Sequence, residues 1–316
     1  MKLITELGLP EYPFRMDHHA PSLFMGSCFT ENIGRLLERW KFPVNINPFG
    51  VTYNPASLGR QLEALMLKEA YVAEDLNQYK DRWFSFDHYT GFSSSDQQRC
   101  LEGINRSFLK AKKELQQASL LVITWGTSWV YQYKPTGSVV CNCHKIPSGQ
   151  FTRSRLSVKE IINKYSDLLP QLFIHNPDLK ILITVSPVRH WKDGAHGNQL
   201  SKASLLLASE ALEQQFPGKV FYFPSYEITM DELRDYRYYA DDMLHLNPLA
   251  TRYIWEKFQS VLVSGESQQI INDLEPLIRM EEHRALEENG EAHENTLRKR
   301  DAKRLALQEK YSFLKL

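Results

Sequence analysis

Five short apolar runs, each followed by a stretch of helical periodicity, limit this chain's fold more than any other feature of its 316 residues. The runs cover residues 23–26, 42–46, 119–125, 179–185 and 219–223. Two of them, Ser-Leu-Leu-Val-Ile-Thr-Trp and Leu-Lys-Ile-Leu-Ile-Thr-Val, are continuous, as in strands buried on both faces. Between them, apolar residues recur at three- and four-residue spacing. Examples are Ile33, Leu36, Leu37 and Trp40, then Leu58, Leu62, Leu65 and Met66, then Leu101, Ile104, Phe108 and Leu115. Ser157 with Glu160 forms a capping box that opens a further helix, residues 201–215 are helical, and Asn247-Pro248 caps and starts the last helix, to about residue 263. Such alternation predicts a five-stranded parallel sheet with helices on both faces, a three-layer α/β/α, flavodoxin-like fold. Ligands gather at the carboxyl ends of the strands in such sheets. The turns at Cys28, Gly50, Gly126, Arg189 and His245 would lie there.

The first of these turns carries two nucleophile-capable side chains. An apolar run ends at Gly26, Ser27 and Cys28 follow, and an amphipathic helix begins. A hydroxyl or thiol there sits by unsatisfied backbone N–H groups at the positive end of the helix, where a developing anion is favoured. Near a histidine, a cysteine so placed is expected to be partly thiolate at neutral pH. The same small residues could serve packing alone. Asp242-Met243-Leu244-His245 supplies the complement: an Asp three residues before a His, ahead of a helix, can bond imidazole Nδ1, fix the tautomer and leave Nε2 to accept a proton. D-x-x-H is a common pattern, and a surface Asp and His at a helix start would look the same.

Formal net charge is +0, with Asp and Glu interleaved among Lys and Arg, which argues against a nucleic-acid partner. No run reaches the roughly 18 apolar residues of a membrane helix, and the amino-terminal stretch has no long apolar core, so neither a membrane span nor a secretory signal is expected. Four cysteines (Cys28, Cys100, Cys141 and Cys143) are too few and irregular for a disulfide framework, which points to a soluble protein in the reducing cytoplasm. Cys141-x-Cys143-His144 groups ligand-type residues, but no second pair stands nearby, so no metal is expected. Nothing in the pattern speaks to oligomeric state.

Residues 1–265 form the α/β domain in this reading. Residues 71–96, aromatic and irregular, form a loop insertion over the body, either a pocket wall or ordinary packing. A hairpin is expected over 129–141. Residues 266–316, crowded with charges of both signs, form a helical appendage, solvated or partner-facing, broken near Asn289-Gly290. The loop 186–194 after the fourth strand holds Arg189, His190, Lys192 and Asp193, either a polar pocket for a sugar or carboxylate or a solvated loop.

The order of these features, with a nucleophile after the first strand and D-x-x-H before the last core helix, resembles the SGNH hydrolases, also called GDSL esterases. Over roughly residues 10–300 the chain more closely resembles the bacterial GSCFA family, whose motif stands here as Gly26-Ser27-Cys28-Phe29-Thr30. Further segments that carry the likeness are Asn47-Pro48-Phe49-Gly50, Gly126-Thr127-Ser128-Trp129-Val130-Tyr131, Asn142-Cys143-His144-Lys145, Ser186-Pro187-Val188-Arg189-His190 and residues 239–245. The resemblance implies an acyl-ester hydrolase, a carbohydrate acetyl esterase working through a covalent acyl-enzyme. Its triad would be Cys28 (or Ser27), His245 and Asp242. Laying G-D-S-L over the first turn puts Cys28 in the nucleophile's place, with Ser27 one residue off. It also implies an oxyanion hole from backbone N–H groups at Cys28 and Gly50, completed by Ser128, which stands where the superfamily has Asn, or by Asn142 from a neighbouring loop. Gly126, His144, Arg189 and His190 would contact the substrate. The same triad would suit an O-acetyltransferase, with acyl-CoA as donor, or a catalytically weak binding module for acylated ligands; the hydrolase itself needs no cofactor.

Overall fold

The computed structural model describes residues 5–282 and 291–316. β1 (Ser22–Gly26) leads into α1 (Cys28–Arg39), and β2 (Val44–Ile46) into α2 (Pro55–Leu67). A small hairpin, β3 (Asn77–Tyr79) and β4 (Arg82–Phe84), precedes α3 (Gln97–Gln117) and β5 (Leu120–Trp125). Three strands, β6 (Trp129–Tyr133), β7 (Ser138–Val140) and β8 (Phe151–Arg155), come before α4 (Val158–His175), β9 (Lys180–Val185), α5 (Gly194–Gln215) and β10 (Val220–Phe223). The one-turn α6 (Ser225–Glu227) and the helices α7 (Pro248–Leu262), α8 (Gly265–Glu282) and α9 (Glu291–Lys310) follow.

The five expected strands form one parallel sheet in the order β2-β1-β5-β9-β10. The chain steps from β1 to β2 on one side and then crosses to β5 on the other. The crevice between β1 and β5 is therefore the switch point at which such sheets bind ligands. Side chains alternate with the pleat. Leu121, Ile123 and Trp125 enter the core with α2, α3, α4 and α5, while Leu120 and Val122 enter the core with α1, α7 and α8. Each fully buried side chain of this kind contributes roughly 1.5–3 kcal/mol of transfer free energy, so a one-residue slip of β5 would turn both cores inside out.

Three boundaries differ from expectation. Phe151–Arg155 adds a third strand to the 129–141 hairpin, in the antiparallel order β7-β6-β8; its exposed, charge-bearing composition hid it as an edge strand. α5 begins at Gly194, seven residues ahead of the apolar stripe from which it was predicted, because its first turns are polar. And α8 is no solvated appendage. Ile270, Ile271, Leu274, Leu277 and Ile278 are buried with α1 and α7, and Arg39 Nε donates to Glu282 Oε1 at 2.6 Å. That stripe has clean helical spacing, which the surrounding charges mask. α9 lies on α8 through buried Leu307 and the pair Lys310–Asp273 at 2.6 Å. The expected break near Asn289-Gly290 lies outside the described residues. Among the described residues, no helix is long and apolar enough to cross a membrane.

Residues 71–96 contain the β3–β4 hairpin rather than loop alone, and pack inward. His88 is fully buried, with the rings of Phe49, Tyr71 and Phe92 at 4.8, 4.9 and 5.1 Å. Neither ring nitrogen has a hydrogen-bond partner among the described residues. Burial drives its pKa down to about 3, and that of neighbouring His144 to about 4, from an ordinary 6.5. Below about 6.5 the unfolded chain therefore takes up protons that the folded chain refuses. The stability held at neutral pH is lost as pH falls toward the folded values, by about 1.4 kcal/mol per pH unit for each histidine. The melting temperature is expected to fall steadily between about pH 7 and about pH 5.5, and His88→Phe is expected to flatten that slope. An identical slope in the variant would contradict this assignment.

Candidate active site

The site begins with a close approach of two strands. Gly26 has φ +145°, and a Cβ placed on it would lie 2.3 Å from Thr124 O on β5. Only glycine fits. Its N–H donates to Asn47 Oδ1 at 2.8 Å and its carbonyl accepts from Thr52 N at 2.9 Å, which staples the segment after β2 beside the turn. Ser27 then caps α1. Its Oγ accepts from Phe29 N at 3.3 Å, and the residue is 1% exposed. Cys28, the first residue of α1, is half-buried. The two candidate nucleophiles differ in setting: Ser27 is buried with its hydroxyl accepting a bond, whereas Cys28 is half-buried. Burial pushes the Cys28 thiol pKa up; its own N–H, Lys202 and the Phe29 N–H pull it back without prevailing. The expectation was a thiol partly ionised at neutral pH; burial pushes it the other way.

The Asp242–His245 turn lies against the loop after β9. Met243 takes a left-handed φ of +58°, and Ala240 N donates to His245 O at 2.8 Å, closing a tight loop before α7. Asp242 Oδ1 accepts from the Leu244 and His245 amides, both at 2.9 Å, and Oδ2 accepts from imidazole Nδ1 at 2.6 Å. The bond to His245, then the two amides, pull the carboxyl down to about 2. The pair is formed as D-x-x-H predicts, with Nδ1 engaged. Nε2 makes no hydrogen bond to Ser27 or Cys28 among the described residues; in unliganded enzymes such contacts often tighten only with substrate present.

The loop after β9 joins the two. Arg189 donates to Met243 O, and its guanidinium lies over Trp191 at 5.2 Å and Tyr239 at 5.4 Å. His190 turns inward. Its Nε2 would be 3.2 Å from a Cβ on Gly126, and burial, followed by the charges of Lys202 and His245, holds it at about 4. Lys192 and Asp193 turn away to the small sheet, Lys192 onto the Tyr131 hydroxyl at 2.7 Å and Asp193 onto Arg153.

The expected oxyanion donors fare less well. Gly50 N donates to Asn47 O at 2.7 Å within its own turn, so this amide is not free. Ser128 is fully buried, its N and Oγ both on Ser201 Oγ at 2.8 and 3.1 Å. Asn142 Oδ1 accepts from Thr90 Oγ1 and His144 N, which ties it to the aromatic insertion. His144, expected at the substrate, packs inward. It is buried, stacked on Phe84 at 4.1 Å, with Nε2 3.0 Å from Ser85 O. Each of these was read from its place in a motif; Gly50 N is taken up by its own turn, and Ser128, Asn142 and His144 by partners distant in sequence. Cys141 Sγ meets Thr52 Oγ1 at 3.1 Å, and among the described residues no three His, Cys, Asp or Glu side chains group to hold a metal ion.

Two site residues escaped sequence reasoning. Tyr53 lies three residues past Gly50. Its carbonyl accepts from Gly126 N (2.8 Å) and Thr127 N (3.0 Å), and its ring meets His190 edge-on at 5.4 Å. Burial, then the nearby Cys28, raise its phenol to about 12. Lys202 is fully buried beneath the turn, with Nζ 2.6 Å from both Gly126 O and Ser186 O. A signal for it existed: Lys202 falls on the buried stripe of α5 with Asn198, Leu205 and Leu212, and a lysine on a core face demands a reason.

A family model described as the GSCFA family matches residues 21–258. No curated protein matches the chain. Among solved structures, the chain is similar to a carbohydrate esterase family 3 from Talaromyces cellulolyticus (TM-score 0.38, 10% identity, 80% of this chain and 99% of that chain). It is also similar to a family two carbohydrate esterase from Clostridium thermocellum in complex with cellohexaose (TM-score 0.36, 13% identity, 83% and 66%). A third is the acetyl xylan esterase Est2A from the rumen bacterium Butyrivibrio proteoclasticus (TM-score 0.38, 10% identity, 80% and 66%).

Proposed function

We propose that this chain, which belongs to the GSCFA family, cleaves acyl esters through a thioester on Cys28. What supports the reading is a closed Asp242–His245 pair, at 2.6 Å, tied through Arg189 to the loop after β9, in a chain whose half-buried Cys28 opens the helix after β1. His245 Nε2 takes the thiol proton as sulfur attacks the ester carbonyl. The oxyanion faces the amides at the start of α1. The carbon–oxygen bond breaks, and the imidazolium returns its proton to the departing alkoxide. Water, deprotonated by His245, then attacks the thioester, releasing the carboxylic acid and restoring the thiol. Asp242 holds the imidazole in the productive tautomer. His190 is the weaker candidate for base, because burial keeps it neutral with a pKa near 4.

An acetylated carbohydrate is the substrate class we favour. Arg189 and the 52%-exposed Trp191 offer a charged and an aromatic surface to a polyhydroxylated ring beside His245. Gly50 N and Ser128 being engaged favours slow turnover, since each lost donor typically costs about 100–1000-fold; the same thioester would also serve transfer to an acceptor from an acyl-CoA donor. A panel of short-chain nitrophenyl esters and acetylated oligosaccharides, with and without acyl-CoA and acceptor, tests this. Ester cleavage that vanishes in Cys28→Ala supports it; no cleavage or transfer with any of them would overturn it. Ser27→Ala is expected to lose about 1 kcal/mol of helix capping yet keep turnover. Loss of turnover equal to that of Cys28→Ala would move the nucleophile to Ser27.

A further inference from the structure

We infer that Arg189 is the positioning residue of the Asp242–His245 pair, which it holds through the carbonyl of Met243. What this means for rate rests on the proposed esterase reading; the hold on the pair does not. Asp242, Met243 and His245 are all exposed, and the loop over residues 240–245 closes on itself. Ala240 N donates to His245 O and Met243 N to Ala240 O, both at 2.8 Å, and Asp242 takes the Leu244 and His245 amides. Among the described residues, one hydrogen bond reaches this loop from elsewhere in the chain: the Arg189 guanidinium donates to Met243 O at 2.5 Å. It falls between the carboxylate and the imidazole, on a residue whose left-handed φ of +58° is uncommon for a side chain with a Cβ. Such a backbone conformation persists only where its surroundings hold it.

Arg189 is itself held. Val188 N donates to Ser186 Oγ at 3.3 Å and His190 N to Asn198 Oδ1 at 3.0 Å, so the backbone on either side is fixed to the end of β9 and to α5. The guanidinium lies 5.2 Å from the ring of Trp191 on its own loop. It lies 5.4 and 6.0 Å from Tyr239 and Tyr236, which stand just ahead of the 240–245 loop. A planar cation stacks on rings and still donates from its edge to a carbonyl, and a lysine ammonium reproduces only part of that. The bond to Met243 thus joins a fixed strand end to the one exposed turn that carries His245.

The test reads Arg189→Met and Arg189→Lys in two ways. The first needs no ester: the ring-nitrogen chemical shifts of His245, taken where the imidazole is neutral, report which nitrogen carries the proton. Wild type is expected to show one tautomer, with the hydrogen on Nδ1. Arg189→Met is expected to lose that single form for a mixture, with Asp242→Asn as the reference for a broken pair. The second is turnover of nitrophenyl acetate, which has no sugar ring to meet the guanidinium. There kcat and kcat/KM are expected to fall together in Arg189→Met, by about 10–100-fold, with Arg189→Lys recovering part of the loss. An unchanged tautomer in folded Arg189→Met, or a mixture already present in wild type, overturns the inference whatever becomes of the esterase reading. Unchanged kcat for nitrophenyl acetate, with KM raised for acetylated oligosaccharides alone, would make Arg189 a substrate contact and overturn it as well. Should Arg189→Met not fold, Arg189→Gln, which keeps an amide donor but not the reach, carries both comparisons.

Discussion

His245→Ala is expected to lower kcat/KM for a short-chain ester by about 10⁴-fold or more, the scale on which triad members act, with little change in melting temperature. The imidazole side chain is 54% exposed, and its one side-chain bond is to Asp242, itself 47% exposed. Little of the fold leans on it, so a loss of rate without a loss of stability isolates its chemical role. Asp242→Asn should bring a comparable loss with folding intact. An amide that donates where the carboxylate accepted presents a hydrogen to Nδ1 and favours the tautomer in which Nε2 cannot take the thiol proton. Unchanged turnover in His245→Ala, measured against a Cys28→Ala blank, would remove this residue from the mechanism.

Gly26→Ala is expected to produce the largest loss of stability of any single methyl group added to the chain. Its Cβ would stand 2.3, 2.8 and 2.9 Å from Thr124 O, N and C, all backbone atoms of the central strand β5, at a φ of +145°. Backbone strain and overpacking, each about 1–3 kcal/mol, together predict a loss of about 3–5 kcal/mol. That corresponds to a fall of about 5–8 °C in melting temperature for a domain of this size. Gly8→Ala, with nothing within 4 Å of the added atom, serves as the control and should melt with the wild type. Activity should fall further in Gly26→Ala than stability alone explains, because moving β1 from β5 moves the sulfur. A variant that melts within about 2 °C of the wild type would show that the two strands can part.

The sheet was legible because burial on both faces leaves little room for polar residues. Residues 119–125 and 179–185 announce themselves, and the strand–helix alternation then fixes parallel order and the switch point between β1 and β5. The Asp242–His245 pair was legible because its geometry is local: three residues and one turn bring carboxylate to imidazole. What the motifs did not show was the hydrogen-bond partner each residue takes up in the fold. Gly50 N, Ser128, Asn142 and His144 each stand where a family pattern has a functional group. Their partners are Asn47, Ser201, Thr90 and Ser85, and three of the four come from other parts of the chain. The Cys28 thiol shows the same limit. A helix start and a histidine in the pattern argue for a thiolate, but burial outweighs them, and burial is a property of the assembled fold. Tyr53 was missed because folding alone carries it to the turn after β1, while Lys202 left only a lysine on the buried stripe of α5, whose partners the fold reveals.

Mass spectrometry of the protein quenched during turnover of an acetyl ester tests the central claim most directly. One acetyl group on the peptide that carries Cys28, removed by hydroxylamine at neutral pH as a thioester is, and absent from Cys28→Ala, is the predicted result. Turnover accompanied by an acetyl group on Ser27, or turnover that persists in Cys28→Ala, would contradict it.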